Sequence, residues 1–451
     1  MARNRVIYQS EALYASKNIN STASGEHRQL TRIQSANYKF DIARKDINQF
    51  GQLARIDALV LDSPTVGLDF TYYPTDGFNE RVLGFYVQTG YTVFTGTAGA
   101  SSTGIAAAGH NFSGYVGSSA GNFASGQMGN SSGQNFFIVT TAEGVDLNFE
   151  REATQTAVVG GVTGTGYVSA LSGKSIIGIG NAFLTNYSLD TSVGNLPVVN
   201  VSMEGLNLNS AKYTFASGTP TGISNGLLLF SGDRAEGFPT PLVNPTSGIA
   251  ITGVNVTLPT AQESTGSAWI SALRPGDIVL DFTSYGSSAS DLSQKAVPNV
   301  NISGTSDGIG SDGLHLQKAT LTLPLKRTPI NRLGSRFAFA RVVDFPIVAS
   351  LNVSAIVNEV EARNLAFMLD DNTERDITVR IKNPTNGGLN AMIYTLKGSR
   401  LTSESFTSSI GANKSVDLVF ETQIGGPNDT LHGIFVSGAG VQDSSVIGWG
   451  Y

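Results

Sequence analysis

Ile33-Gln34-Ser35-Ala36-Asn37-Tyr38-Lys39-Phe40-Asp41-Ile42-Ala43-Arg44-Lys45-Asp46-Ile47-Asn48-Gln49-Phe50-Gly51 is the stretch on which the reading turns, because the chain writes it twice. Its second version is Leu316-Gln317-Lys318-Ala319-Thr320-Leu321-Thr322-Leu323-Pro324-Leu325-Lys326-Arg327-Thr328-Pro329-Ile330-Asn331-Arg332-Leu333-Gly334. Without a gap, Gln34, Ala36, Arg44, Ile47, Asn48 and Gly51 meet identical residues, and Ile33, Phe40, Ile42 and Phe50 each meet Leu. Beyond it, Pro64-Thr65-Val66 matches Pro346-Ile347-Val348, Leu68 matches Leu351, and Asn79-Glu80 matches Asn358-Glu359. Two copies of one unit present one surface twice, which is a way of building symmetric assemblies.

The repeated unit reads as β-structure. In 36–42, Ala36, Tyr38, Phe40 and Ile42 share one face, with Asn37, Lys39 and Asp41 on the other. In 64–72, Val66, Leu68, Phe70 and Tyr72 oppose Thr65, Gly67, Asp69 and Thr71. Residues 181–190 set Phe183, Tyr187 and Leu189 against Asn186, Ser188 and Asp190. Pro197 then opens a strand with Val199, Val201 and Met203 opposite Asn200, Ser202 and Glu204. A period of two with a polar reverse face marks a strand buried on one side and wet on the other. Proline is tolerated at a strand's first residue, where no ladder bond is lost. Short helices are expected at 76–88 and 358–370.

Length and composition frame this reading. A chain of 451 residues exceeds one ordinary core. The expected division is an N-terminal arm at 1–30, a first domain at 31–210 with a Gly/Ser-rich insertion at 89–134, a connecting β-rich region at 211–312, and a second domain with C-terminal strands at 313–451. Only 14% of residues are charged, against 40% hydrophobic and 52 glycines. That balance favours a turn-rich all-β chain with much of its surface covered in an assembly, and it is the reverse of the disordered composition. Residues 82–142 carry no Asp, Glu, Lys or Arg, but hold Tyr91, Phe94, Ile105, Phe112, Tyr115, Phe123 and Met128. A flexible Gly/Ser loop is one reading of this stretch; spaced aromatics without solubilising charge fit better a segment lying against another surface, such as a neighbouring subunit.

Several function classes lack their signatures. A net charge of −6 argues against tight nucleic-acid binding. Without cysteine the chain has no disulfide, thiol nucleophile or thiolate metal site. The opening residues show no signal peptide, and no apolar run is long enough for a membrane span. Gly117-Ser118-Ser119-Ala120-Gly121 and Gly129-Asn130-Ser131-Ser132-Gly133 both fit a nucleophile-elbow pattern, yet neither lies between a strand and a helix. Gly173-Lys174-Ser175 ends like a phosphate loop but has Val168 where the upstream glycine belongs. His27, His110, His315 and His432 show no ligand spacing. No enzymatic activity, cofactor or metal is expected. The basic residues Lys326, Arg327, Arg332, Arg336 and Arg341, echoed by Arg44, Lys45 and Arg55, read as contacts to acidic groups on a neighbour.

These motifs resemble the tail tube (major tail) proteins of long-tailed, non-contractile bacteriophages. The likeness rests on Ser35 to Arg44, Ile47-Asn48-Gln49-Phe50-Gly51, Pro64 to Leu68, Asn79-Glu80, Asn181 to Tyr187 and Val193 to Pro197, and covers about half the chain. It implies a mainly β chain of two tandem tail-tube-type β-sandwich domains with short flanking helices. Their hairpins would join those of neighbours in a β-barrel around a bore. It further implies homotrimeric, pseudo-sixfold rings stacked into a tube, assembled in the host cytoplasm within the virion tail. Partners would be further copies, tape-measure and tail-terminator or baseplate proteins, and DNA passing transiently through the lumen, with no membrane anchor. The expected lumen residues are Asn37, Lys39, Asp41, Thr65, Asp69, Thr71, Asn186, Ser188, Asp190, Asn200, Ser202, Glu204, Thr320, Thr322 and Asn352. Expected subunit or ring contacts are Arg44, Ile47, Asn48, Phe50, Arg327, Ile330, Asn331 and Leu333. Pro324 and weaker alternation leave open which second-copy strands reach the lumen. Alternatives are a capsid decoration or baseplate-ring protein, or a carbohydrate-binding surface protein.

Overall fold

The computed structural model describes residues 11–16, 27–60, 65–89, 123–124, 127–128, 133–140, 156–159, 162–165, 175–212, 227–229, 238–239, 255–259, 272–284, 314–333, 338, 340–357, 374–382, 390–408, 413–426, 429 and 431–438. Among these the chain is mainly β and folds as one structural unit made twice. The first copy runs β1 (Glu11–Ser16), β2 (Ile33–Asp41), β3 (Arg44–Ile47), β4 (Asp57–Val60), β5 (Thr65–Tyr72), α1 (Phe78–Val82), β6 (Gln134–Thr140), β7 (Ser175–Ser192), β8 (Val198–Gly205) and β9 (Asn207–Lys212). The second runs β10 (Ile278–Ser284), β11 (Leu314–Pro324), β12 (Arg327–Ile330), β13 (Ala340–Val343), β14 (Ile347–Val357), β15 (Arg375–Lys382), β16 (Asn390–Thr407), β17 (Ser415–Ile424) and β18 (Gly433–Gly438). Each of β1 to β9 has its counterpart, in the same order, among β10 to β18.

In each copy a two-layer sandwich forms around one long strand. The outer layer is β1-β6-β7-β9 in the first copy and β10-β15-β16-β18 in the second. Both β7 and β16 are 18 residues long, starting in the outer layer and finishing in the inner one. β7 makes that passage beside Asn181, which has φ of 50°. Asparagine is one of the few residues that accept this left-handed conformation. The inner strands of both copies join in a single antiparallel sheet with the order β2-β5-β8-β7-β11-β14-β17-β16. The junction between copies is therefore β7 against β11.

Pairing shows that the copies match to the residue. Gln34 bulges out of β2 between Ile33 and Ser35, and Gln317 bulges at the same point of β11, between Leu316 and Lys318. Thr185 and Thr402 form a second matching pair of bulges, and their hydroxyls donate to Ser202 O at 3.0 Å and Val419 O at 3.1 Å. A bulge is a local device that re-aims a strand, so two matched pairs testify to one inherited blueprint. The hairpins β3-β4 and β12-β13 also correspond, with Arg44 opposite Val60 and Arg327 opposite Val343.

The alternating residues of β5, β7 and β8 form the core as the sequence predicts, with Val66, Leu68, Phe70, Tyr72, Tyr187, Leu189, Val199, Val201 and Met203 all buried. Tyr38, Phe40 and Ile42, expected on a buried face, are instead exposed because β2 is an edge strand. One continuous apolar cluster runs from Leu13 in β1 to Val436 in β18, so the two copies share a core. Burial of apolar surface is the main favourable term. At its centre Phe85 and Phe123 stack with centroids 4.0 Å apart, and Tyr187 meets both edge-on. The strand Val87–Thr89 of the first copy adds, in parallel, to β18 of the second.

Four expectations need correction. The segment expected as a polar arm contains β1, whose Leu13, Tyr14 and Ala15 are buried; its apolar residues were too few to stand out in sequence. The connecting region contains β10, a second-copy strand paired along its length with β15. Pairing aligns Val66 with Ala349, one residue on from the Val66–Val348 match, and Ala349 is the buried one. Phe123, expected at a neighbour's surface, is buried in this chain's own core. A helix does form within 76–88, over Phe78–Val82. The helix expected at 358–370, and Tyr91, Phe94, Ile105, Phe112 and Tyr115, lie outside the described residues.

Candidate assembly surfaces

The polar side of the eight inner strands is one broad face. All fifteen residues expected to face a lumen lie on it, and none is buried. The same pairing adds Ser350, Ser354, Asp417, Glu421, Ser403 and Ser405, so β14, β17 and the second half of β16 share it. Pro324 sits at the last position of β11, opposite Asn186, where a missing N–H is tolerated. Six carboxylates, Asp41, Asp69, Asp190, Glu204, Asp417 and Glu421, outnumber the cations Lys39, Lys318 and Arg400 on these strands. Asp190 accepts from Thr320 at 2.7 Å and from Asn200 at 2.9 Å, a polar stitch across the junction. Gly67 leaves room for the Lys39 stem, 3.3 Å from where a Cβ would stand.

The two hairpins are chemically alike and differently used. The β12-β13 hairpin clasps the first copy. Arg327 is buried, lies 4.8 Å over the Phe183 ring and donates to Gln127 O. Burial lowers its pKa to about 10, with nearby Arg341 adding to the effect. Arg341, also buried, pairs with Glu204 at 2.7 Å. In the first copy Arg44, Ile47, Asn48 and Phe50 are exposed, and Asp46 pairs with Arg55 at 3.0 Å. Ile330, Asn331 and Leu333 are exposed at the second hairpin's tip. Of the expected contact residues, then, Arg327 is engaged inside the chain and the other seven face outward. Phe50 and Leu333, counterparts in the two copies, are both fully exposed.

Sequence reasoning missed a buried acid at the junction. Glu80, on α1, accepts a hydrogen bond from Tyr72 at 2.7 Å and one from Tyr187 at 3.2 Å. Tyr187 is 2.9 Å from the hydroxyl of Tyr394, which belongs to the second copy. Burial pushes the Glu80 carboxyl up to about 7, against the stabilising pull of the two tyrosines. Burial raises the tyrosines as well, and also Asp76. A carboxyl held among three phenols ties the halves together; nothing in its sequence spacing signals this, because its partners lie far along the chain.

The sheet has two free edges among the described residues, β2 and the second half of β16. Among the described residues no group able to hold a metal ion is present, and no helix is long and apolar enough to cross a membrane. His432 sits 3.6 Å from both Glu374 and Asp429, a local polar contact. The Gly117–Gly121 stretch lies outside the described residues. No protein-family model matches the chain, and no curated protein shows significant similarity to it.

Proposed function

We propose that this chain is a structural, non-enzymatic subunit that joins with further copies into rings, and that the rings stack into the tail tube of a long-tailed, non-contractile bacteriophage. The observation that carries the reading is the tandem sheet: two four-strand units of the same strand order placed edge to edge, leaving unlike free edges among the described residues that can continue the same order. Such a repeat closes on itself when the curvature allows, and closure removes every exposed strand edge. Three chains would give the pseudo-sixfold ring that the resemblance implies.

The polar face suits the lining of a water-filled bore. It is made of short hydroxyl and amide side chains with a carboxylate excess, so DNA phosphates would be repelled weakly and would not be held. Particles assembled in a bacterial cytoplasm, with tape-measure and terminator or baseplate proteins as partners, complete the proposal. Negative-stain microscopy of the purified chain tests it. Stacked rings with a stain-filled bore are expected; single rings or shells would favour a baseplate or decoration role, and monomers under all conditions would overturn it.

A further inference from the structure

The junction inside the chain is a template for a junction between chains. Seven residues of β7 pair antiparallel with β11, from Asn186 opposite Pro324 to Ser192 opposite Lys318. Leu325 N–H then donates to Thr185 O at 2.9 Å. In the repeat, β16 stands for β7 and β2 stands for β11, and among the described residues both have an open side. We infer that β16 of one copy of this chain takes β2 of the next in that same register. Ser403 then opposes Asp41, Ser405 opposes Lys39, Phe406 opposes Tyr38, Thr407 opposes Asn37, and Ile42 N–H reaches Thr402 O.

Burial supports this occupant. Tyr38, Phe40 and Ile42 stand 41%, 54% and 43% exposed, although they point to the dry side of the sheet. Their counterparts at the internal junction, Leu321, Leu323 and Leu325, are 2%, 0% and 0% exposed. Phe406 is 38% exposed, and its counterpart Leu189 is 2%. Apolar residues left open on a strand edge, at the positions their own duplicates bury, describe an interface missing its other half. A second copy of the chain supplies that half with matching hydrogen-bond groups.

The inter-chain seam is a weaker version of the internal one. Ala58 stands where Arg341 clasps Glu204, and Arg400 stands where Phe183 receives Arg327. Arg44 of the incoming copy would therefore meet Glu421 and Arg400 in the open, with Glu374 already 3.0 Å from Arg400. Glu404 replaces Tyr187, opposite Phe40. An exposed ionic contact in place of a buried clasp makes the seam sensitive to salt.

The inference uses the ring reading only in requiring that copies meet, and cysteine pairs separate the two. The chain has no native cysteine. Directly opposed residues on antiparallel strands lie within disulfide reach, and a displacement of two residues takes them out of it. Ser405→Cys with Lys39→Cys should give reducible multimers on mild oxidation, while Ser405→Cys with Asp41→Cys should not. The matching internal pair, Ser188→Cys with Thr322→Cys, should close within one chain and so verifies folding. Multimers from the Asp41 pair, or assembled particles with no cross-link from either pair, would overturn the register while sparing the tube. Cross-linked multimers that never stack would keep the seam and overturn the tube. Uncross-linked monomers throughout would overturn both.

Discussion

Replacing Glu80 with Gln should change how stability depends on pH, and the size of the effect follows from the site. The carboxyl is enclosed by Tyr72, Tyr187 and Tyr394, with Asp76 as the nearby acid, and its pKa rises from 4.5 to about 7, chiefly by burial. An acid with a raised folded-state pKa stabilises the fold fully below its unfolded value. That contribution falls as pH climbs from 4.5 and is gone once pH has passed through about 7. At ~1.4 kcal/mol per pKa unit, the loss between pH 4 and pH 8 is on the order of 3 kcal/mol. Glutamine keeps an oxygen to accept from both tyrosines and cannot ionise. Urea denaturation followed by circular dichroism should find Glu80→Gln close to the parent at pH 4. At pH 8 it should be more stable by about that amount. Asp376, also raised by burial, titrates in both proteins and cancels in the difference, whereas Asp76 feels the Glu80 charge and its change is part of what the difference reads. A difference that stays constant across this range would refute the claim that Glu80 is buried and ionises at a cost.

Leu323 is fully buried beside the junction, so Leu323→Ala should cost roughly 2–5 kcal/mol in the same denaturation assay; an unchanged midpoint would remove it from the core. Arg341→Ala should cost about 1–3 kcal/mol by breaking the pair with Glu204, and parental stability would deny the clasp a structural role. Phe50→Ser with Leu333→Ser should leave stability within about 0.5 kcal/mol of the parent, both residues being fully exposed. The same double variant should shorten or abolish tubes seen by electron microscopy, and tubes of parental length would show the hairpin tips to be idle. Asp41, Asp69 and Asp417 changed together to Lys should leave tubes intact and slow genome delivery in an infectivity assay; undiminished delivery would count against a lumenal wall.

What could be read from sequence was what repeats locally. The period-two patterns of Tyr38, Phe40 and Ile42, and of Leu68, Phe70 and Tyr72, gave the strands and their wet faces directly. The match of Gln34 with Gln317 and Arg44 with Arg327 gave the duplication, and pairing reproduces it to the bulge. Legibility failed where the partner decides the outcome. Arg44 and Arg327 are the same letter in the same motif, yet one is exposed and one buried, because only the second has a first copy beside it. Glu80 looks like an ordinary helix-surface acid, and only Tyr187 and Tyr394, brought in from distant strands, make it a buried one. β1 was missed, and β10, though legible as a strand, was assigned to a connecting region, for a related reason: short outer-layer strands carry little periodic signal, and their place is set by β6 and β15.

The fused inner sheet has a kinetic consequence. If chains join edge to edge as proposed, carrying two copies in one polypeptide makes every second joint of the sheet an intramolecular event, favoured by the high effective concentration of tethered partners. Nucleating the proposed ring would then require half as many encounters between separate molecules. In the proposed ring the tethered joint holds the buried Arg341 beside Glu204, and the untethered one would be the looser of the two, able to open and re-form while the circle is being completed.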